Sequence, residues 1–299
     1  MNAALRDLPA KIAPEPVSIR CADGRELAGH WFAAPRRRAT LVISAGTGFP
    51  QTFYFKLATY AAARGYDALV YDYRGMGWSA PADLATETAK MSDWGLLDMR
   101  AALSTAAGRA GDAPLATLGH SIGGQLVGLL TNHALARAHV QIATSVGYWR
   151  WEHAPFRYLA WWFWRVHGPL MLKLKGYVPT GGGWSGLPLP RGVYEEWKRW
   201  CLRPEHFGPD LRTYLSDNVF ATLRAPVLSV AFEDDPIATR RTVEALRPFF
   251  PNVAFDVRWY SPREAGGKIG HGGFFASRFQ ESLWRPTFDW LDAKLGLAA

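Results

Sequence analysis

The 299-residue sequence contains few cysteines and no secretory signal. Its two cysteines, Cys21 and Cys201, lie far apart and form no Cys-x-x-Cys pair, so neither a zinc site nor a disulfide framework is indicated. Residues 1–15 mix charged side chains with short apolar runs and lack the continuous apolar core of a signal peptide. We therefore expect a cytoplasmic protein in a reducing compartment, with no metal or other cofactor.

Long apolar runs and low-complexity linkers are also absent. The most apolar stretch, residues 156–175, is interrupted by Arg157, Arg165 and His167 before it reaches the ~20 apolar residues that a helix needs to cross a bilayer. Because no linker divides the chain, we expect a single domain over residues 1–299. With 48% hydrophobic and 20% charged residues, the chain has ample material for a globular core.

Positive charge exceeds negative charge but is not concentrated. The 34 lysines and arginines outnumber the 26 acidic residues, which gives a net charge of +8. These basic residues are scattered, apart from Arg36-Arg37-Arg38 in a predicted surface turn, and no helix-turn-helix, zinc-finger or RNA-binding signature occurs. We therefore expect no nucleic-acid partner and assign the charge to solubility.

Short apolar runs alternate with helical patterns along most of the chain. The predicted strands are residues 17–20, 27–32, 39–44, 68–72, 114–118, 140–145, 226–232 and 254–260. Asp23-Gly24 marks a hairpin turn between the first two strands, and predicted helices separate most of the later ones. The pattern predicts an α/β fold with an eight-stranded, mostly parallel sheet, helices on both faces, and ligands at the carboxyl ends of the strands.

One region breaks this alternation between residues 148 and 221. It holds eight of the 14 tryptophans, namely Trp149, Trp151, Trp161, Trp162, Trp164, Trp184, Trp197 and Trp200. We interpret residues 149–220 as an inserted cap whose aromatic side chains pack over a substrate pocket, and we select Trp149 and Trp161 as substrate contacts together with Phe49. Contact of this aromatic and basic segment with a membrane surface is the less favoured alternative.

A nucleophile elbow is predicted at residues 118–124. Gly-His-Ser-Ile-Gly at residues 119–123 lies between a predicted strand and a predicted helix, which is the setting that a Gly-x-Ser-x-Gly motif requires. Ser121 would stand on a sharp turn, and the N–H of Ile122 would face an oxyanion beside it. His120 is interpreted as a structural neighbour, because adjacent residues on such a turn point in different directions.

A base and an acid are expected later in the chain, because a serine hydroxyl needs a neighbouring base to become a good nucleophile. His271, between glycines after the last predicted strand, is the preferred base. Asp235 is the preferred acid, with Asp234 second and Glu233 third, since a one-residue shift turns a side chain to the other side of an extended loop. For the second oxyanion donor we select the N–H of Thr47, with Gly46 as the alternative.

These motifs resemble the α/β-hydrolase superfamily over nearly the whole chain. The resemblance rests on residues 44–48, 72–79, 119–124, 234–236 and 270–272. More narrowly, Ala-Gly-Thr-Gly-Phe-Pro-Gln at residues 45–51, Gly-Tyr-Trp at 147–149, the tryptophan-rich cap and Gly-His-Gly-Gly-Phe-Phe at 270–275 resemble a largely uncharacterised family of bacterial "predicted α/β hydrolases". That family is related to the serine-aminopeptidase and monoacylglycerol-lipase-like group.

The resemblance implies specific roles. It implies Ser121 as nucleophile, His271 as base and Asp235 as the acid that orients it, with Ile122 and Thr47 as oxyanion donors. Many relatives carry His-Gly where this chain has Ala45-Gly46, so Thr47 and Gly46 both stay candidates for the second donor. Dehalogenase and epoxide-hydrolase relatives use an aspartate at the elbow, so Ser121 argues against both activities.

The expected function is that of a serine hydrolase acting on a small carboxylic ester with an apolar acyl or aromatic part. Peptidase, thioesterase, carbon–carbon hydrolase and acyltransferase activities remain alternatives, because all of them use the same triad. A ligand receptor that keeps the fold without catalysis is a further alternative, since fold alone does not fix function.

Overall fold

A computed structural model of the chain describes residues 12–297. Most of the N-terminal stretch that was searched for a signal, residues 1–11, lies outside this range, as do residues 298–299. The ten strands of the described range are β1 (Glu15–Arg20), β2 (Glu26–Phe32), β3 (Ala39–Ser44), β4 (Tyr66–Tyr71), β5 (Leu115–His120), β6 (Ala136–Ile142), β7 (Tyr177–Val178), β8 (Leu189–Pro190), β9 (Val227–Phe232) and β10 (Phe255–Tyr260).

Eight strands form one sheet in the order β1-β2-β4-β3-β5-β6-β9-β10. The pairs β1–β2 and β2–β4 are antiparallel, and every other pair in this sheet is parallel. Strands β3, β4, β5 and β9 are buried at every residue, as expected for parallel strands that are covered on both faces. The predicted fold is therefore confirmed.

Helices cover the two faces of the sheet. The α-helices of residues 12–297 are α1 (Phe55–Ala63), α2 (Met91–Asp93), α3 (Arg100–Ala110), α4 (Ile122–Gln125), α5 (Phe156–Trp162), α6 (Gly168–Lys175), α7 (Arg191–Cys201), α8 (Gly208–Leu211), α9 (Arg240–Glu244), α10 (Pro262–Ala265) and α11 (Arg285–Leu295). π-Helical turns at Trp94–Met99, Phe163–His167 and Gln280–Trp284 join α2 to α3, join α5 to α6 and lead into α11.

Two sequence predictions need correction. The strand expected at residues 140–145 is β6, which begins at Ala136 and ends at Ile142, because Ala143 adopts a positive φ of 51° that ends the extended backbone. The cap was expected to contain no strands, but β7 and β8 pair as a short antiparallel hairpin within it. Two residues per strand are too few to produce a periodic sequence signal.

Residues 149–220, which are predicted to form the cap, lie within the connection between β6 and β9, two strands that pair directly in the sheet. It contains α5 to α8 and the β7–β8 hairpin. Its first turn is fixed to the sheet domain, since the N–H of His153 donates to the carbonyl of Pro236 at 2.9 Å and Thr239 Oγ1 donates to the carbonyl of Trp151 at 3.0 Å. None of the helices between residues 12 and 297 has the length and apolar character needed to span a bilayer.

Candidate active site

Ser121 occupies a strained turn between β5 and α4. Its φ of 52° and ψ of −114° lie in a region that non-glycine residues rarely adopt. A Cβ atom at Gly119 would lie 2.4 Å from the backbone of Gly123, and one at Gly123 would lie 2.5 Å from the carbonyl oxygen of Ser44. The Gly-x-Ser-x-Gly spacing therefore follows from the close approach of two backbone segments around the serine.

Three predicted residues meet at the carboxyl edge of the sheet. His271 Nε2 lies 3.0 Å from Ser121 Oγ, and His271 Nδ1 lies 2.8 Å from Asp235 Oδ2. Because a carboxylate only accepts hydrogen bonds, Nδ1 carries the proton and Nε2 is free to accept the proton of the serine hydroxyl. This is the arrangement that activates a serine for attack on an acyl carbon.

Both oxygens of the Asp235 carboxylate accept hydrogen bonds. Oδ2 faces His271, and Oδ1 accepts hydrogen bonds from the N–H groups of Ile237 at 2.8 Å and Ala238 at 3.0 Å. Burial raises the pKa of Asp235, but the charge of His271 and these hydrogen bonds outweigh it and hold the pKa below its ordinary value. The carboxylate is therefore ionised and can stabilise an imidazolium.

The neighbouring acid Asp234 has a different position. Its Oδ2 and Oδ1 accept hydrogen bonds from the N–H groups of Ile269 at 2.8 Å and Gly270 at 3.0 Å, the two residues before His271. Asp234 thus fixes the loop that carries the histidine and does not touch the imidazole through these contacts. Glu233 is exposed. Of the three acids considered from the sequence, only Asp235 contacts the ring of His271.

The geometry favours Thr47 over Gly46 as the second oxyanion donor. The N–H of Gly46 already donates to Tyr54 Oη at 2.8 Å. Within residues 12–297, no acceptor is found for the N–H of Thr47, and Thr47 Oγ1 is buried without a partner. Ile122 is the first residue of α4, so its N–H has no acceptor within the helix.

His120 joins the two loops that flank the serine. Its Nε2 donates to the carbonyl of His271 at 2.9 Å, and its Nδ1 accepts from Tyr54 Oη at 2.8 Å. Burial and the adjacent His271 lower the pKa of His120 to about 3, so the ring is neutral and can use one nitrogen as donor and the other as acceptor. This agrees with its interpretation as a structural neighbour of the nucleophile.

Tyr54 is a residue of the site that the sequence did not reveal. It accepts a hydrogen bond from the oxyanion loop and donates one to His120, so it links residues 46 and 120. Tyr54 lies in the 3₁₀ helix Gln51–Tyr54, where its side chain is buried. No local sequence pattern distinguishes it from the other aromatic residues of this segment.

A cavity of about 100 Å³ extends from Ser121 beneath the cap. Its apolar wall is formed by Phe156, Leu159, Ala160, Phe163, Trp164, Trp184, Trp197 and Ile237, and its polar side chains are those of Ser121, Gln125, Ser145, Glu152 and Cys201. The rings of Phe163 and Trp184 are stacked, with centroids 5.2 Å apart. Aromatic side chains of the cap thus form much of the surface next to the serine.

The three residues that the sequence predicts as substrate contacts lie outside this cavity. Phe49 lies beside the site, with its ring 4.8 Å from that of His120. Trp149 is half-buried under the guanidinium of Arg150, and Trp161 is 45% exposed. None of these three residues lines the cavity, and five other tryptophan or phenylalanine residues of the cap lie there instead: Phe156, Phe163, Trp164, Trp184 and Trp197. Trp161 is excluded because Ala160 faces inward on α5, and the next residue along a helix is rotated by about 100°.

Among residues 12–297, no group of three or more histidine, cysteine, aspartate or glutamate side chains is placed to hold a metal ion. Cys21 and Cys201 are both free and buried.

Comparison with known proteins identifies the class of fold. The family profile of the serine aminopeptidases, S33, matches residues 35–180, which include Ser121 and end before Asp235 and His271. No curated protein matches the sequence significantly. The profile match and the structural neighbours confirm the resemblance to the α/β-hydrolase superfamily, and they support the coarser part of the predicted function, that of a hydrolase.

Three solved structures illustrate the likeness. A soluble variant of monoglyceride lipase from Saccharomyces cerevisiae, in complex with a substrate analogue, is 15% identical with a TM-score of 0.67, over 96% of this chain and 98% of that one. An esterase of Pyrococcus furiosus is 16% identical with a TM-score of 0.59, over 96% and 92% of the two chains. An esterase of Thermogutta terrifontis is 15% identical with a TM-score of 0.56, over 98% and 95%.

Proposed function

We propose that this protein is a serine-dependent carboxylic ester hydrolase that acts on esters with an apolar acyl or aromatic part. The observation that carries the proposal is the chain of contacts from Ser121 Oγ to His271 Nε2 at 3.0 Å and from His271 Nδ1 to Asp235 Oδ2 at 2.8 Å. The aromatic wall of the adjacent cavity supports an apolar substrate.

In the first step, Ser121 Oγ attacks the carbonyl carbon of the ester while its proton passes to His271 Nε2. The N–H groups of Ile122 and Thr47 stabilise the negative charge on the carbonyl oxygen, and the Asp235 carboxylate stabilises the imidazolium. The tetrahedral intermediate then collapses. The alcohol leaves with the proton of His271, and the acyl group stays on Ser121.

In the second step, His271 removes a proton from a water molecule, which attacks the acyl carbon of the acyl-enzyme. The acid is released when the bond to Ser121 Oγ breaks, and the serine regains its proton from His271. Each residue thus returns to its initial state. Asp235 remains ionised throughout, which agrees with its lowered pKa.

The decisive experiment is labelling with a fluorophosphonate, followed by mass mapping of the modified residue and hydrolysis of p-nitrophenyl esters of increasing chain length. We expect modification of Ser121 and turnover that rises to an optimum chain length. The Ser121→Ala variant should lose both labelling and esterase turnover. Substantial esterase turnover by that variant, or no labelling of folded wild-type protein, would contradict the proposal, and the second result would favour a ligand receptor.

A second candidate property, attachment of the cap to a membrane surface, is favoured by one specific observation. The outer face of α5 and α6 carries large exposed apolar side chains, which we call the cap patch: Tyr158, Leu159, Trp161, Trp162, Leu170 and Leu174. Trp161 and Trp162 are 45% and 44% exposed. Exposed apolar patches of this kind mark interaction surfaces on soluble domains.

The charge around the cap patch indicates the partner. Arg165, Lys173 and Lys175 are exposed in the same segment, and no acidic residue occurs between residues 153 and 194. Basic side chains beside exposed tryptophans are typical of segments that lie in the headgroup region of anionic bilayers. Leu159 belongs both to the patch and to the cavity wall, so a docked cap would bring the cavity next to the lipid. We therefore infer that the cap patch binds an anionic lipid surface.

Sedimentation with vesicles tests this inference. Wild-type protein should bind vesicles of phosphatidylglycerol and phosphatidylcholine more tightly than phosphatidylcholine alone, and the Trp161→Ser/Trp162→Ser variant should bind about tenfold more weakly. Trp78→Ser is a matched control, because Trp78 is 61% exposed and lies outside the cap. Turnover of soluble esters should be the same for wild type and the double variant, which shows that the variant is folded. Equal sedimentation of the two proteins with vesicles would then contradict the inference.

A further inference from the structure

Glu152 is a buried acid inside the cavity with an unused hydrogen-bonding atom. Its residue is 7% exposed, and Oε2 has no hydrogen-bond partner within residues 12–297. It follows the short helical turn Trp149–Trp151 and lines the same cavity as Ser121. A buried polar atom without a hydrogen-bond partner destabilises the folded protein, so an acid at this place in the cavity needs an explanation.

The groups around Glu152 leave it without a counter-ion. No lysine or arginine is among the described residues that line the cavity. The charged group that acts on Glu152 is the Asp235 carboxylate, and Glu152 in turn acts on Cys201. Burial and the nearby Asp235 raise the pKa of Glu152 well above its ordinary value. Burial therefore favours the neutral carboxylic acid form of this side chain, which has an O–H group to donate.

The other long polar side chain of the cavity is already satisfied. Gln125 Oε1 accepts from His206 Nε2 at 2.9 Å, and Gln125 Nε2 donates to the carbonyl of Ser145. Gln125 thus serves to fix the cap segment around residue 206 against α4. Glu152 differs because it lines the cavity while its Oε2 has no hydrogen-bond partner among residues 12–297.

We propose that Glu152 donates a hydrogen bond to a second oxygen atom of the substrate, so that the preferred ester carries a keto or hydroxyl group on the chain that enters this cavity. This inference rests on the proposed esterase function and names its substrate class. The ester carbonyl binds at Ser121, and the second oxygen binds at Glu152 within the same cavity. An ester with a plain alkyl chain leaves the carboxyl group unpaired and binds less well.

Matched ester pairs test the proposal on the full-length protein. For the acid half, kcat/KM is measured for p-nitrophenyl hexanoate, p-nitrophenyl 5-oxohexanoate and p-nitrophenyl 6-aminohexanoate. For the alcohol half, hexyl acetate is compared with 5-oxohexyl acetate by titrating the acid released. For whichever half of the ester enters the cavity, we expect kcat/KM of the oxo ester to be about tenfold higher than that of the alkyl ester.

Two variants separate a hydrogen-bond donor from a carboxylate. Glu152→Gln keeps a donor of the same length and should keep the preference for the oxo ester. Glu152→Leu removes the donor and should reduce the ratio of oxo to alkyl ester to about one. Both variants are checked for fluorophosphonate labelling at Ser121, which shows that the active site is intact. If Glu152→Leu fails to fold, the wild-type and Glu152→Gln ratios still decide the matter.

Three results would overturn the proposal. The first is a wild-type enzyme that hydrolyses the alkyl and oxo esters of both halves equally well. The second is an oxo preference that persists in Glu152→Leu. The third is a preference for the amino ester that disappears in Glu152→Gln, because it would show an ionised Glu152 paired with an ammonium group. All three require Ser121 to be labelled, whereas absence of labelling would reject the esterase function itself.

Discussion

The carboxyl edge of the sheet and the cap treat their polar groups in opposite ways. At the edge, Ser121, His271, Asp235 and His120 are joined in a connected set of hydrogen bonds, with both oxygens of Asp235 occupied. In the cap, aromatic rings surround a cavity where Glu152 Oε2 has no partner, and tryptophans lie exposed on the outer face. The edge is preorganised for the proposed reaction, whereas the cap leaves a polar contact open for the proposed substrate.

The difference follows from how each region is built. The three catalytic candidates lie in the segments that follow β5, β9 and β10. The sheet fixes these strands relative to one another. The cap is held to the sheet domain by its first turn and by packing of rings such as Phe163 on Trp184. In the proposed enzyme, reactivity would depend on the sheet, and selectivity on side chains that can be replaced without disturbing the strands.

The largest expected effect separates the two adjacent acids. Asp235→Asn should lower kcat by about 10⁴-fold, because an amide can present its N–H₂ to His271 and stabilise the wrong tautomer of the ring. Asp234→Asn is the matched control. It weakens two hydrogen bonds to the backbone before His271, so we expect a lower unfolding temperature and a much smaller change in kcat. Comparable losses of kcat in both variants, measured on p-nitrophenyl esters, would show that the assignment of the acid is wrong.

Low pH should lower the free energy of unfolding through His139, a buried histidine that takes no part in the proposed reaction. Burial lowers the pKa of His139 on β6 to about 3, from an ordinary value of 6.5. Between these values the unfolded chain binds a proton that the folded protein does not, so this residue costs stability as the pH falls. The His139→Leu variant should therefore gain about 1.4 kcal/mol relative to wild type for each pH unit from about pH 6 to pH 4.

Chemical denaturation at several pH values measures this gain. His153→Leu, which removes an exposed histidine of the cap, is the control for replacing a histidine by leucine. A constant difference in unfolding free energy between His139→Leu and wild type across this pH range would mean that His139 is not held neutral in the core.

A smaller effect is expected from the link between the oxyanion loop and the histidine loop. Tyr54→Phe removes the acceptor of the Gly46 N–H and the donor to His120 Nδ1, which leaves two buried groups unpaired. Both loops then lose a positional restraint, and kcat should fall about tenfold with little change in KM. Tyr60→Phe, on α1 and also buried, is the control. Equal kcat values for the two variants would contradict a positioning role for Tyr54.

The smallest expected effect concerns the attachment of the cap. The guanidinium of Arg241 lies 4.3 Å from the ring centroid of Trp151 in the first turn of the cap, and that of Arg240 lies 4.5 Å from Trp259 on β10. Arg241→Gln and Arg240→Gln should each cost about 0.5–1 kcal/mol of unfolding free energy. Only Arg241→Gln should change the preferred chain length of the ester, since Trp151 precedes Glu152. A shift of that preference in both variants, or in neither, would contradict this difference.

The edge of the sheet was predictable from the sequence, and most of the cap was not. Buried strands produce continuous apolar runs, and the elbow requires glycines at fixed spacing around Ser121, so both appear as local patterns. The contact of Tyr54 with His120 joins residues 66 positions apart, and such a contact leaves no local signal. The N–H of Gly46 could be set aside as an oxyanion donor only when its partner Tyr54 was located.

Trp161 shows why the sequence did not reveal which side chains of the cap face the cavity. The tryptophans of the cap occur at neighbouring positions, so composition alone does not say which side chains face the cavity. The cavity-lining residues Phe156, Leu159, Ala160, Phe163 and Trp164 follow the helical spacing i, i+3, i+4, i+7 and i+8, so Trp161 and Trp162 fall on the outer face. This period defines two faces of the helix, but only the tertiary structure shows which of them covers the cavity.

The position of the cap between β6 and β9 has a consequence for how the protein can evolve. These strands are direct neighbours, with His139 opposite Val227, so the whole cap is one connection between adjacent strands. Its length can change at small entropic cost, about 0.6 kcal/mol for each doubling of a flexible loop. Insertions, deletions and exchanges at this single connection can therefore create new substrate ranges in a lineage while the order of the strands and the reaction are inherited unchanged.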